Sequence, residues 1–344
     1  MKKIITISGI VSLLFLSSCV TFIEFPIEVF QPAKVTLPAE IKNVTLVGRN
    51  LKYTIDTLQN YYSKGFRLLK DKKPFNNDSL SIQACLDSLS IKMQSQKRFD
   101  KITVLPVSSL PIQYVKNINP PSKNLIQKVS TDTNADALIL LDMYSGFYSI
   151  YPNPDNGRSI AKVVTASIWT IYDASKNQII HHTTMVDTLF WDGLDVSERY
   201  SASRIPGKKA ALQIAAGLAG SNYSKNIIPN WAKVYRNTLS CNQADFKIAS
   251  NLAKKNKWDE ASALWGKYTE SKNKRQKMQS LFNLAIANEM DGKIEEAIEL
   301  ISKASKISSS PIYATENKFI RKYSAVLEKR KIELDKISSM NYDL

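Results

Sequence analysis

Eight residues recur at a fixed distance in this chain. Lys257-Trp258-Asp259-Glu260-Ala261-Ser262-Ala263-Leu264 returns as Lys293-Ile294-Glu295-Glu296-Ala297-Ile298-Glu299-Leu300, an offset of 36, and Ala249 meets Ala285 by the same shift. Self-similarity at a period of about 20 to 50 residues marks a stacked array, because one supersecondary unit cannot bury its apolar side alone. Two units are too few to cover each other, so the array needs neighbours at both ends. The tail offers one: Phe319, Ile320, Tyr323, Val326 and Leu327 form an apolar stripe on a helix expected from about Thr315 to Ser338. A helix over 224–240, with Trp231, Val234 and Tyr235 on one face, is expected to dock on the other end.

Upstream of the repeat, β-branched runs alternate with helical patterns. Asn43 to Asn50 reads as a strand ending in a glycine turn, and residues 51–75 as an irregular loop with a helical turn. A helix over 78–98 starts at Asp78-Ser79, a second strand covers Lys101 to Val107, and a short helix covers 121–132. Ala135 to Asp142 is too apolar for a strand with one wet face and is expected at the centre of a sheet. Ala161–Tyr172 and Gln178–Trp191 alternate apolar and polar residues around the turn cluster Asp173 to Asn177, which predicts an antiparallel hairpin. Residues 203–219 and 224–240 read as helices. The fold class expected is therefore α+β: a mixed sheet with packed helices over 41–240, then an all-α array over 241–344. The order of elements and the Ala135-Asp136-Ala137-Leu138-Ile139 strand resemble the periplasmic domain of the curli-secretion lipoprotein, the penicillin-binding-protein activator lipoprotein and the amino-terminal domain of TolB.

The amino terminus has Lys2 and Lys3, an apolar segment from Ile4 to Leu16, then Ser17-Ser18-Cys19. A charged start, a short apolar run and small residues make an export signal, too short for a mature membrane span. Leu16-Ser17-Ser18-Cys19 resembles the lipobox of bacterial lipoproteins. The resemblance implies cleavage between Ser18 and Cys19, with diacylglycerol and an N-acyl chain on Cys19 as the covalent lipid and no other cofactor. Val20 follows, without the aspartate that retains enterobacterial lipoproteins on the inner membrane, so an outer-membrane protein facing the periplasm is expected. Residues 19–40, with Pro26, Pro32 and Pro38, read as a lipidated tether or an edge segment.

The formal charge of +16 falls to +14 when residues 1–18 leave with their two lysines, and the lysines are spread along the chain. The charge reads first as a solubility feature; in the envelope it would meet anionic polymers and headgroups before nucleic acid. Lys272 to Lys277 is a local basic cluster, expected at a solvated turn between helices. Cys85 lies on an apolar helical face and Cys241 stands apart from it, which leaves their pairing open.

Signatures of common chemistry are missing: no HExxH, GxSxG, P-loop or GxGxxG occurs. His181 and His182 are adjacent in a predicted strand and point to opposite faces, so one metal cannot take both, and no metal site is expected. Gly217-Leu218-Ala219-Gly220-Ser221 reads as a helix end. Asp187, Asp192, Asp195 and Glu198 gather around Trp191, which reads first as a solvated loop after a strand and otherwise as carboxylates for glycan hydrolysis or a calcium site, and Phe147, Tyr148 and Tyr151 read as a loop or a glycan surface.

The repeat signature at Ala249, Trp258, Ala261, Leu264, Ala285, Ala297 and Leu300 resembles tetratricopeptide repeats, whose small residues let the two helices of a hairpin approach closely. Lipobox, mixed α/β domain and repeats together resemble an uncharacterised lipoprotein family of Gram-negative anaerobes. The expectation is a non-enzymatic scaffold that docks a protein partner in the repeat groove. The alternatives are a glycan-binding or glycan-processing protein using the acidic residues near Trp191, and a subunit of an oligomeric secretion assembly.

Overall fold

The computed structural model describes residues 21–71, 74–153, 159–192 and 205–339. It contains both strands and helices in two compact units: residues 33–230 form one, and residues 21–32 join 231–339 to form the other. Among the described residues no helix is long and apolar enough to cross a membrane.

The α/β unit is built on a seven-stranded sheet. Strand β2 (Asn43–Gly48) lies between β6 (Lys101–Val104) and β8 (Ala137–Pro152), parallel to both. Strands β9 (Ser159–Asp173) and β10 (Gln178–Asp192) continue the sheet antiparallel. The expected central strand is there: residues 137–142 of β8 are buried on both faces between β2 and β9. The stretch 51–75, expected to be irregular, contains β3 (Leu51–Tyr53), β4 (Tyr61–Lys64) and β5 (Arg67–Lys70). Strand β3 pairs with β7 (Gln113–Val115), and β4 joins β5 to β8.

Helices cover both faces of this sheet. On one face α1 (Pro74–Gln94) and α3 (Lys208–Ile227) pack with Leu46, Ile139, Leu141, Trp169 and Ile171. On the other, Ile126 and Val129 of α2 (Lys123–Thr133) meet Val47, Leu138, Leu140 and Tyr172. Gly217 and Gly220 sit inside α3 rather than at its end. They are needed because α1 crosses so closely: a Cβ on Gly220 would lie 1.9 Å from the carbonyl oxygen of Cys85, and one on Gly217 2.9 Å from Ser88 Oγ. One turn beyond Gly220, Tyr223 stacks on Trp169 with centroids 4.1 Å apart and planes 4° apart.

The helical unit holds two hairpins, α4 (Ala244–Lys254) with α5 (Trp258–Gly266) and α6 (Lys274–Met290) with α7 (Ile294–Ser308), followed by α8 (Ala314–Ser339). The 36-residue offset is visible in the backbone. Asn256 and Gly292 both take positive φ at the hairpin turn, 62° and 74°, and Lys257 and Lys293 cap the next helix at φ −98°, ψ 68° and φ −85°, ψ 67°. Lys257 N–H donates to Leu252 O and Lys293 N–H to Asn288 O, again 36 residues apart. Ala249, Ala261, Ala285, Ala297 and Ala304 are fully buried in one core, where the absence of a longer side chain brings the helices together. Leu264 and Leu300 are half-buried at its edge, as is Trp258. Stripe residues Ile320, Tyr323 and Leu327 of α8 join the same core, as expected of a covering helix.

The segment expected to be a tether is a strand. Residues Thr21–Gln31 form β1, paired with β11 (Asn230–Ser240), which replaces the helix expected over 224–240. Phe30 meets Trp231 at one end, centroids 5.2 Å apart, and Thr238 Oγ1 reaches Ile23 O at the other, so the two strands run antiparallel. Phe25, Ile27 and Val29 alternate inward into the helical core while Glu24, Pro26 and Glu28 face out. A two-stranded ribbon is marginal by itself, and its packing on the helices supplies what it lacks. The buried amide of Asn283 adds a side-chain rung: Nδ2 donates to Leu239 O and Oδ1 accepts from Leu239 N–H, each at 2.8 Å.

Candidate functional site

In the helical unit, the outward face of the ribbon and the first hairpin turn enclose a cleft of about 510 Å³. Its walls include Pro26, Trp231, Trp258 and Met290, with Lys233, Lys254 and Glu28 among the polar groups. Trp231 is 67% exposed, far more than a large aromatic needs to be if its role were packing alone. Trp258 is held by a hydrogen bond from Nε1 to Asn256 Oδ1 at 2.9 Å. The left-handed Asn256 thus both turns the chain and orients one wall. The volume is in the range of ligand clefts, and aromatic walls with a few charged groups suit an extended chain bearing an apolar anchor.

A polar network stiffens the same unit. Glu289 accepts from Arg236 Nε at 2.8 Å and Nη2 at 2.6 Å, and from Tyr323 Oη at 2.8 Å, while Arg330 Nε stands 3.9 Å away. Arg330 also donates to Phe30 O and Glu333. The network ties β1, β11, α6 and α8 together. Burial, and then the Glu289 charge, push the Tyr323 phenol well above its ordinary value.

The α/β unit contains a second constellation, at the carboxyl ends of its parallel strands. Asp142 is the residue of β8 left without a register partner at the bulge between Leu141 and Met143. One of its oxygens lies 3.4 Å from Arg49 Nη1, just past the end of β2. The other accepts from Thr170 Oγ1 of β9, which in turn lies 2.8 Å from His182 Nδ1 of β10. Arg49 is further committed to Asn119 O at 2.5 Å and Gln113 Oε1 at 3.1 Å. Burial pushes the Asp142 carboxyl up, and the bonds from Thr170 and Arg49 draw it part of the way back. Thr170 and His182 face each other across the β9–β10 hairpin, but Arg49 and Asp142 lie far from them in sequence, so no local pattern could have joined all four.

The two histidines do part to opposite faces of β10. His181 turns inward, where its Nε2 is buried with no partner among the described residues, and burial lowers its pKa. Among the described residues no group of His, Cys, Asp and Glu gathers for a metal.

Of the acidic residues near Trp191, Asp187 and Asp192 lie among the described residues. Asp187 and Asp192 are an odd number of residues apart on one strand and face opposite ways, about 16 Å apart along β10. That exceeds the 5–10 Å or so of glycosidase carboxylate pairs. Asp187 instead accepts from Asn222 Nδ2 at 2.8 Å. Asp195 and Glu198 lie outside the described residues, as do Ser18 and Cys19. Phe147, Tyr148 and Tyr151 belong to β8 rather than to a loop. Cys85 and Cys241 are free thiols, and burial raises the pKa of both. Of the basic cluster, Arg275 is drawn to the buried Glu316 at 2.7 Å and Lys277 to Glu270 at 2.9 Å.

No curated protein matches the chain. Among solved structures it is similar to the PelC dodecamer from Paraburkholderia phytofirmans, at 10% identity and a TM-score of 0.25 over 60% of this chain and 99% of that one. A neuraminyllactose-binding hemagglutinin homolog from Helicobacter pylori matches at 11% identity and a TM-score of 0.27, over 55% and 84%. Protein XCC0632 from Xanthomonas campestris matches at 9% identity and a TM-score of 0.25, over 57% and 90%. Scores of this size carry no conclusion about what the chain binds. Residues 247–329 match a family model described as a domain of unknown function, DUF6340. A second model covers residues 41–238, more than half of the length, and the chain therefore belongs to the family described as domain of unknown function DUF8603.

Proposed function

We propose that the chain is a lipid-anchored protein of the bacterial outer membrane, facing the periplasm, whose helical unit docks an extended segment of a partner protein. The observation that carries this reading is the open cleft between Trp231 and Trp258, built on a rigid ribbon and a repeated helical hairpin. We read the two hairpins as tetratricopeptide-like, because their small residues and turn conformations recur every 36 residues. Lys233 and Lys254 favour an acidic partner segment, or an anionic envelope polymer presented to the same wall.

The strand β1 gives the anchor a particular consequence. It starts two residues after Cys19, a span of at most about 7 Å. Acyl chains on Cys19, each contributing about 0.8 kcal/mol per buried methylene, would hold β1 and its cleft close to the bilayer. A partner would then be met at the membrane surface rather than at the end of a long tether.

A photo-crosslinking residue at Lys254 tests the docking reading in intact envelopes, with Ile332, an exposed position on α8, as the control. A discrete crosslinked species is expected from position 254, absent from position 332 and weakened at least about tenfold by Trp231→Ala, the effect of losing an aromatic anchor. No crosslink at 254, or identical products from both positions, would contradict it.

A further inference from the structure

We propose that the pocket beside His182 binds a small, mostly apolar molecule that donates one hydrogen bond, from a hydroxyl or amino group, to Nε2 of that histidine. The pocket has a volume of about 230 Å³, enough for a single substituted ring. Its walls are mainly Ile118, Pro120, Ile168, Tyr172 and Ile179, and its polar lining includes Asp142, Thr170 and His182.

The direction of the hydrogen bonds follows from proton counting. Thr170 has one hydroxyl proton, and it goes to the Asp142 carboxylate. Thr170 Oγ1 must then accept from its other neighbour, so His182 in its neutral form carries its proton on Nδ1, 2.8 Å away. Nε2 is left as the ring's acceptor. The charges nearby are already spent on each other: Arg49 faces Asp142 and also bonds Asn119 O and Gln113 Oε1, and it does not line the pocket. A cation gains little from a carboxylate so paired, and an anion finds no free guanidinium. A neutral donor on an apolar body is the ligand that fits.

The placement agrees with general rules. In sheets with parallel strands, ligands bind beyond the carboxyl ends of those strands, where Arg49 and Asp142 stand. Two bulges flank the pocket, one at Asp142 and one between Ile179 and His181. Bulges re-aim side chains and gather beside binding sites.

The test compares p-cresol with toluene, which share ring and methyl and differ in the hydroxyl, by isoleucine-methyl NMR on residues 20–344, which retain every described element. Shifts are expected to concentrate on Ile118, Ile168 and Ile179, with p-cresol bound about five to ten times more tightly, the effect of one net hydrogen bond. His182→Phe should abolish that preference while keeping toluene affinity. Thr170→Val should do the same by releasing the tautomer, making Thr170 a positioning residue, and Thr170→Ser should restore it. Equal affinities in the unmodified chain, shifts scattered over other isoleucines, or a preference that survives His182→Phe would overturn the proposal.

Discussion

Replacing Glu289 with alanine is expected to destabilise the helical unit by about 3–5 kcal/mol, because it leaves the buried Arg236 guanidinium without its counter-charge. Arg236 loses both of its short bonds, Tyr323 loses its acceptor, and Arg330 loses its nearest carboxylate but for Glu333. Since these groups come from β11, α6 and α8, and Arg330 also reaches Phe30 O of β1, the loss should appear as one cooperative transition in urea. Removing both partners together, as in Arg236→Met with Glu289→Leu, should recover most of the stability, since a buried pair is often no better than apolar side chains of similar volume. Equal destabilisation by the single and double replacements would show that the network contributes more than charge balance.

Gly220→Ala is expected to destabilise the α/β unit by about 3 kcal/mol. In an exposed helix this change would stabilise by up to about 1 kcal/mol, because glycine is a poor helix former. Here the added Cβ would meet the backbone of Cys85, 1.9 Å from its oxygen and 2.8 Å from its carbonyl carbon, and a backbone cannot rotate away. Helices α1 and α3 must separate, which also strains the Tyr223–Trp169 stack. Gly266→Ala, at the end of α5 with nothing within 4 Å, should be neutral or mildly stabilising. Unfolding midpoints for the two variants should move in opposite directions or differ widely. Similar midpoints would mean that the two helices adjust without cost.

The parts of the fold that the sequence announces are those with local patterns. The hairpin of β9 and β10 follows from alternation and a turn, and β8 from an apolar run with no wet face. The repeat needed only a shift of 36 residues. The failures have a common cause, which is pairing over distance. Strand β1 finds its partner some 200 residues later, so nothing nearby reports that Phe25, Ile27 and Val29 will be covered, and the prolines read as a tether. In β11, Trp231, Val234 and Tyr235 have helical spacing by coincidence; in the fold Trp231, Lys233 and Tyr235 face out while Arg236 and Thr238 are buried. Gly217 and Gly220 looked like a stop signal because a close helix crossing cannot be seen from one helix alone.

The sites divide in the same way. The alanines of the repeat, which pack the helical core, were readable, whereas the cleft depends on β1 and β11 and was not. His182 was visible but unemployed until the bulges in β8 and β10 brought it to Thr170 and Asp142. Of the carboxylates near Trp191, Asp187 and Asp192 are kept apart by strand geometry, while Asp195 and Glu198 lie outside the described residues.

The proposal of an anchored docking protein stands first on Cys19. Metabolic labelling with a palmitate analogue, comparing the unmodified chain with Cys19→Ala and followed by membrane fractionation, tests it most directly. Label and membrane association are expected in the first, and loss of both in the second. Label that persists without Cys19, or an unlabelled protein free in solution, would contradict it.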